Sequence, residues 1–312
     1  MRDIFSEGLL YLDLLEIYGS SYAVAELCGV AQSNVFRGAS ACSKLLNLGL
    51  SKDRSAGVYR LERNQDVQRD LRRLNQRLRA REKGQLRCVA PGFALPDPLP
   101  REQASLVRPL PCTWAEPLQS LEMLERGLLD LVVVPSQGIG SRLDWNQPLR
   151  RRDLFVPLEG FMVTRLSALP LVLLGQAEHP GWPESAETLD LQAAPVALTP
   201  ALAGEDCANQ LQLHEPEHVP SADHWFSALA DQPQQLLLST LQECVHLAAE
   251  PAVRVLPLRS EPEMELLLLT PPSLVQEPLH QQLMKLLRSH CGDVLHYAQG
   301  DLALKMNSIS PS

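Results

Sequence analysis

Four residues near the N-terminus, Gln32, Ser33, Asn34 and Arg37, gather two amides, a hydroxyl and a guanidinium within six positions. These groups suit the hydrogen-bonding edges of base pairs. In the major groove an amide pairs bidentately with adenine and a guanidinium with guanine. That chemistry requires the side chains to stand on the first turns of a helix that can enter the groove. The surrounding sequence predicts such a helix. Ser20 or Ser21 can accept the unpaired N–H groups that open a preceding helix. Ala23, Val24, Leu27 and Cys28 then fall on one face at helical spacing. Gly29 can take the left-handed backbone that ends a helix, and Val30 can plug the gap before a second helix starting near Ala31 and Gln32. Residues 19–48 therefore read as a helix-turn-helix with the polar set at the start of its second helix.

The flanking segments fit around that unit. Residues 5–18 read as a helix whose stripe of Leu9, Leu12 and Ile17 packs on the next two. Residues 51–61 read as a hairpin, the wing of a winged helix: a charged turn with Gly57, then the alternation Val58, Tyr59, Arg60, Leu61. Lys52, Arg54 and Arg60 can meet backbone phosphates from there, which positions a protein without specifying sequence. Residues 63–82 form a long charged helix. Its Val67, Leu71, Leu74 and Leu78 are spaced 4, 3 and 4 apart, a coiled-coil seam of about two heptads. So short a seam is marginal alone, which favours a dimerisation helix docked on a winged helix. Its basic face, Arg69, Arg72, Arg73, Arg77 and Arg79, reads as solvated.

Charge divides along the same line. The 312 residues carry −9 overall, but residues 1–84 hold 14 Lys and Arg against 10 Asp and Glu, a net of +4. Residues 85–312 hold 14 against 27, a net of −13. A basic module ahead of an acidic body suits a DNA-binding domain with an attached regulatory domain. The seven Cys are scattered without a C-x-x-C pair, as expected of buried thiols in a reducing cytoplasm. No signal peptide is evident, and apolar runs such as LPLVLL fall short of the ~18 residues a membrane span needs.

Catalytic motifs are few and fail on inspection. His214, Glu215 and His218 match H-E-x-x-H, but Pro216 and Pro220 oppose the helix that would put both His on one face of a zinc ion. Gly138 and Gly140 lack the third Gly of a dinucleotide loop, and neither a G-x-S-x-G elbow nor a phosphate-binding loop occurs. No enzyme activity, metal or cofactor is expected.

Beyond a hinge at Lys83 and Gly84 the pattern is α/β. Strands are predicted at residues 85–91, 105–114, 129–135, 154–163, 168–174, 195–199, 253–258 and 264–270. Helices are predicted at 116–127, 226–230, 233–249 and 278–290, with the end of the chain beyond 305 disordered. The run from Leu129 to Pro135 is nearly continuous in apolar residues, as a buried parallel strand should be. Ligands of open α/β sheets bind beyond the C-terminal ends of strands, so Pro91, Thr113, Trp114, Ser136 and Thr199 are candidates to line a cleft.

With these elements placed, the chain resembles the LysR-type transcriptional regulators over nearly its whole length. Gly19, Ser20, Ala25, Glu26, Val30, Gln32 and Arg37 fall at the spacing of that family's helix-turn-helix. Leu118, Leu121, Leu124, Gly127 and Asp130 match its helix into a Gly-x-x-Asp-Leu strand. Residues 169–173, with His179 and Pro180, resemble the opening of its second subdomain. Phe36 stands where the family usually has Ser and Ser33 where it has Pro. Residues 91–100 are too Pro-rich for its first helix, and its late Gly-x-Gly turn is missing near residues 242–251.

The resemblance implies a winged helix-turn-helix over residues 1–62 and a linker helix over 63–84. It implies a two-lobed effector domain over 85–305, like the periplasmic solute-binding proteins, ahead of a tail at 306–312. It implies double-stranded DNA as a partner, self-association as a homodimer or homotetramer, and a small-molecule effector in the cleft, contacted by polar residues such as Ser136 and Thr199. The alternative is a regulator-derived sensor or interaction module that has lost specific DNA binding.

Overall fold

The computed structural model describes residues 4–52, 59–81, 85–95, 107–109, 117–136, 156–158, 160–176, 196–198, 217–218, 236–244, 253–258 and 264–309. The chain divides into two units, Met1–Leu78 with Glu125–Leu128, and Arg79–Leu124 with Leu129–Ser312. The expected hinge at residues 83–84 and helix at 226–230 lie outside the described residues.

The first unit opens with three helices, α1 (Ile4–Tyr18), α2 (Ser21–Cys28) and α3 (Gln32–Leu45). Then come the antiparallel strands β1 (Leu50–Lys52) and β2 (Tyr59–Leu61), the predicted wing, and α4 (Gln65–Arg81). Leu12, Leu15, Val24, Val35, Ala39 and Leu48 form its core. On α2 the buried residues are Ser21, Val24 and Ala25, whereas Leu27, expected on the inner face, is 40% exposed. The helix is only eight residues long, so its inward face is one turn wide.

The linker helix α4 departs from expectation on its inner face. Gln68, Arg72, Gln76 and Ala80, at intervals of four, are buried. Arg72 donates to Asp13 (3.0 Å) and to Glu16 of α1, two carboxylates that are themselves buried, and Arg126 also pairs with Glu16. Burial works against the guanidinium, but Asp13 and Glu16 outweigh it and hold Arg72 above its ordinary pKa. Gly127, at φ +73°, makes room for this side chain, since a Cβ there would lie 2.9 Å from that of Arg72. Arg72 is therefore no part of a solvated face, and neither is Arg79, described below. Arg69, Arg73 and Arg77 are exposed as expected.

The second unit is built on two mixed sheets. Strands β3 (Leu86–Val89), β4 (Val107–Pro109) and β5 (Leu131–Pro135) are parallel, with α5 (Pro117–Glu125) between β4 and β5. A hairpin of β6 (Val156–Leu158) and β7 (Phe161–Ala168) turns at Gly160, splitting the single strand expected at 154–163. The chain then passes to a second sheet of β8 (Leu171–Gln176), β9 (Val196–Leu198), β10 (Glu217–His218), β11 (Leu236–Thr240) and β12 (Val253–Leu258). It returns with β13 (Glu265–Thr270), which lies antiparallel between β5 and β7. The orders are β4-β3-β5-β13-β7-β6 and β10-β9-β11-β8-β12.

Two expectations are corrected here. The helix expected at 233–249 is strand β11 over residues 236–240, followed by turns. Its Leu236, Leu237 and Leu238 are buried on both sides of the sheet, and such a run reads as helix or strand equally well by periodicity. The closing helix α6 (Pro278–Ile309) runs 19 residues past the expected end at 290 and through most of the tail expected to be disordered. No Pro interrupts it before Pro311. Along its length α6 covers the core shared by the two sheets with Leu283, Leu287 and Cys291, then the far face of the second sheet with Leu295 and Ala298.

Asp130 anchors the first sheet. It is fully buried just ahead of β5, takes both Nε (2.8 Å) and NH2 (2.7 Å) of Arg79, and accepts the Arg87 N–H at 2.8 Å. The match to the Gly-x-x-Asp motif thus has a structural basis: the carboxylate fastens the last turn of α4 beside β3. Asp130→Ala removes the carboxylate that the guanidinium and a buried N–H share. The expected loss is about 3–5 kcal/mol of stability, read from urea unfolding, because breaking a buried ion pair by removing one member is costly.

Candidate nucleic-acid interface

The placement of α3 begins with α2. Ser20, extended at φ −133°, is the N-cap, and its hydroxyl accepts the Ala23 N–H at 3.4 Å. Gly29 closes the helix at φ +62°. The Gly29 N–H reaches Glu26 O (3.1 Å) and the Val30 N–H reaches Ala25 O (3.0 Å), a paired closure that needs a left-handed residue. Val30 packs against the core and α3 follows at once. At its other end, Ser43 Oγ accepts the Leu50 N–H at 3.0 Å and ties the last turn of α3 to the wing.

The four sequence candidates take different places on α3. Gln32 is half-buried and donates from Nε2 to Ser21 Oγ at 2.8 Å, joining the first turns of the two helices. Arg37 is exposed and braced, with NH2 on Asn34 Oδ1 at 2.6 Å and Nε on Ser33 O at 3.3 Å. Ser33 is exposed and Asn34 half-buried. Gln32 and Asn34 thus position, while Ser33 and Arg37 face outward. Phe36 is exposed beside them. On the wing, Lys52 lies exposed with Nζ 5.0 Å from the centre of the Tyr59 ring, a cation–π contact that steadies its charge. Ser51 Oγ donates to Glu62 Oε1 at 2.6 Å. Arg54 lies outside the described residues.

The helix is held against α1 at two glycines. A Cβ on Gly8 would stand 2.5 Å from Cys42 Cβ and 3.0 Å from Gly38 O, and one on Gly38 would stand 2.8 Å from the Tyr11 ring. The two helices therefore pack closely at positions that have no room for a side chain. Burial and the nearby Asp13 push the Cys42 thiol up to about 11. In the second unit burial does the same to Cys88 and Cys291, each about 12. These thiols stay protonated at neutral pH and are poor nucleophiles.

On α4, Leu71 packs against the first unit's core, while Val67, Leu74 and Leu78 are 38%, 52% and 57% exposed. The seam thus gives one residue to its own domain and leaves three outside. Of the cleft candidates, Ser136 is buried at the end of β5, its hydroxyl accepting the Glu265 N–H at 3.2 Å, and Pro91 precedes a single 3-10 turn, Gly92–Ala94. Thr113, Trp114 and Thr199 lie outside the described residues, as do His214, Gly138 and Gly140. Glu217 and His218 are extended, so that the end of the H-E-x-x-H segment is not helical. Among the described residues no cluster of His, Cys, Asp and Glu could hold a metal ion, and no helix is long and apolar enough to cross a membrane.

Sequence reasoning did not anticipate the hydrogen bonds of Gln32 to Ser21 and of Arg37 to Asn34, nor the burial of Arg72. For Arg72 the available signal was Asp13 and Glu16 within the apolar stripe of α1. Gly8→Ala improves helix propensity by ~1 kcal/mol but overpacks the α1–α3 contact. We expect a net loss of stability in thermal unfolding, since Cys42 Cβ and a backbone oxygen cannot rotate away. A gain would mean that the contact relaxes.

No family model matches the sequence, and no curated protein does. Solved structures match along most of the chain. A probable transcriptional regulator from Pseudomonas aeruginosa aligns with a TM-score of 0.54 at 17% identity, covering 90% of this chain and 95% of its own. Full-length OxyR from Pseudomonas aeruginosa, as a Cys-to-Asp variant, aligns at 0.51 and 15% identity, covering 91% and 93%. At these identities the likeness is one of fold: the chain has the fold of these proteins, the architecture that its resemblance to the LysR-type regulators implies.

Proposed function

We propose that the chain is a cytoplasmic, sequence-specific DNA-binding transcriptional regulator of LysR type. The observation that carries this reading is the outer face of α3. Ser33 and a braced Arg37 stand exposed on its first two turns, on a module whose sequence is net positive. In this reading α3 enters the major groove, Arg37 pairs with a guanine, and Lys52 with Arg54 contacts phosphates. Gln32 and Asn34 act by holding α3 and Arg37. The likeness in fold to a probable transcriptional regulator agrees with it. No catalytic role is proposed.

The exposed Val67, Leu74 and Leu78 support self-association through α4, as a homodimer or homotetramer, which would set the spacing of two reading helices. The second unit would bind a small-molecule effector in a cleft to which Thr113, Trp114, Ser136 and Thr199 contribute, and pass that binding to the reading heads. The rival reading is a sensor or interaction module without specific DNA binding. What favours it is that Gln32 donates its amide to Ser21 rather than standing free on α3.

Enrichment of defined sequences from a pool of random duplexes by the full chain separates the two. Recovery of a common motif supports the regulator, and a pool no different from background supports the rival. With the enriched duplex, Arg37→Ala is expected to weaken specific binding by roughly 1–3 kcal/mol in a gel-shift titration. Unchanged affinity would remove Arg37 from base contact. Leu74→Glu combined with Leu78→Glu is expected to shift the chain to a smaller species in sedimentation, because it puts charges opposite one another across the seam. An assembly state equal to the unaltered chain's would place the interface elsewhere.

A further inference from the structure

Phe36 is a large apolar ring left 51% exposed on α3. It lies on the outer side of the helix with Ser33, Arg37 and Ser40, at positions i, i+3, i+4 and i+7, while Val35, Ala39 and Cys42 face the core. The ring contributes little to folding where it stands. It is also unlike the centre of a protein–protein interface, where aromatic residues cluster and charge is depleted. Here a single apolar side chain sits among two hydroxyls and a guanidinium.

Duplex DNA offers a surface with the same alternation. In the major groove each base pair displays donors and acceptors, and thymine alone of the four bases adds an apolar group, its 5-methyl. We propose that Phe36 is a specificity-determining residue that reads thymine by packing its ring on that methyl, next to the base contacted by Arg37. The positive module supplies the attraction to phosphate, the brace of Asn34 on Arg37 sets the guanidinium, and Phe36 fixes a neighbouring position by apolar contact. The inference rests on the DNA-binding reading above and adds to it the identity of one base.

The test uses the full chain and a duplex enriched from the random pool. Each thymine is replaced singly by deoxyuridine, which lacks only the methyl, and affinity is measured by gel shift. One thymine in each half-site should be sensitive, losing about fourfold, the effect of one buried methyl-sized group. With both half-sites replaced the loss should be roughly fifteenfold if the contacts add. Phe36→Ala should bind the thymine and deoxyuridine duplexes equally, and Phe36→Leu should recover part of the difference. Because the ring is exposed, both variants should melt like the unaltered chain.

Indifference of the unaltered chain to every replacement would overturn the inference and leave the DNA-binding reading standing. So would a Phe36→Ala variant that keeps the same sensitivity. Failure to enrich any duplex would overturn both.

Discussion

The orientation of α4 is decided by charge rather than by its leucines. Asp13 and Glu16 are buried on α1, and a buried carboxylate must be paired. Arg72 supplies the pairing and sets the rotation of α4 about its axis. Once Arg72 points inward, Gln68 and Gln76 follow at intervals of one turn, and Val67, Leu74 and Leu78 are carried to the outside. The absence of a side chain at Gly127 leaves room for this packing. A helix that could have buried its apolar seam within its own module is thereby prevented from doing so. The last turn is fixed separately, by the two-pronged contact of Arg79 with Asp130, so each unit holds its own stretch of the same helix.

The same division between positioning and contact appears on α3. Both amides are engaged by neighbouring side chains, Gln32 with Ser21 at a half-buried position and Asn34 with the exposed Arg37. A hydrogen bond between side chains of one face restricts rotamers before any partner arrives, which reduces the ordering cost of a contact. The outward chemistry then falls to few groups: a hydroxyl, a guanidinium and one ring. Close packing of α1 on α3 through Gly8 and Gly38 makes the platform under them stiff, since Gly8 lies against Cys42 and the Gly38 carbonyl, and Gly38 against the Tyr11 ring.

Much of this was legible in the sequence, for reasons that differ by element. The caps at Ser20 and Gly29 are local, so their residue types alone placed α2 and the turn. β5 and β13 could be read because a strand buried on both faces is continuously apolar, and the same property made β11 resemble a helix. The burial of Arg72 and Arg79 was not legible, because charged residues at helical spacing look alike whether they meet water or carboxylates 51–59 positions away. Phe36 stood out in the sequence only through the resemblance, which has Ser at that place. The length of α6 depended on packing against two cores in succession, which no local signal announces.

The place of β13 also governs the order in which the molecule can be made. β5 is completed at Pro135, yet its neighbour across the sheet is residues 265–270, and the second sheet is formed by chain lying in between. During synthesis the leading half of the first sheet therefore waits, with β5 as an open edge, until nearly the whole chain has emerged. Contacts so distant in sequence slow folding, and an unpaired apolar edge invites mispairing in the interval. By contrast, the core that joins α1, α2, α3 and the wing draws on no residue later than Leu71. The N-terminal module can thus assemble early, and the second unit can only close late.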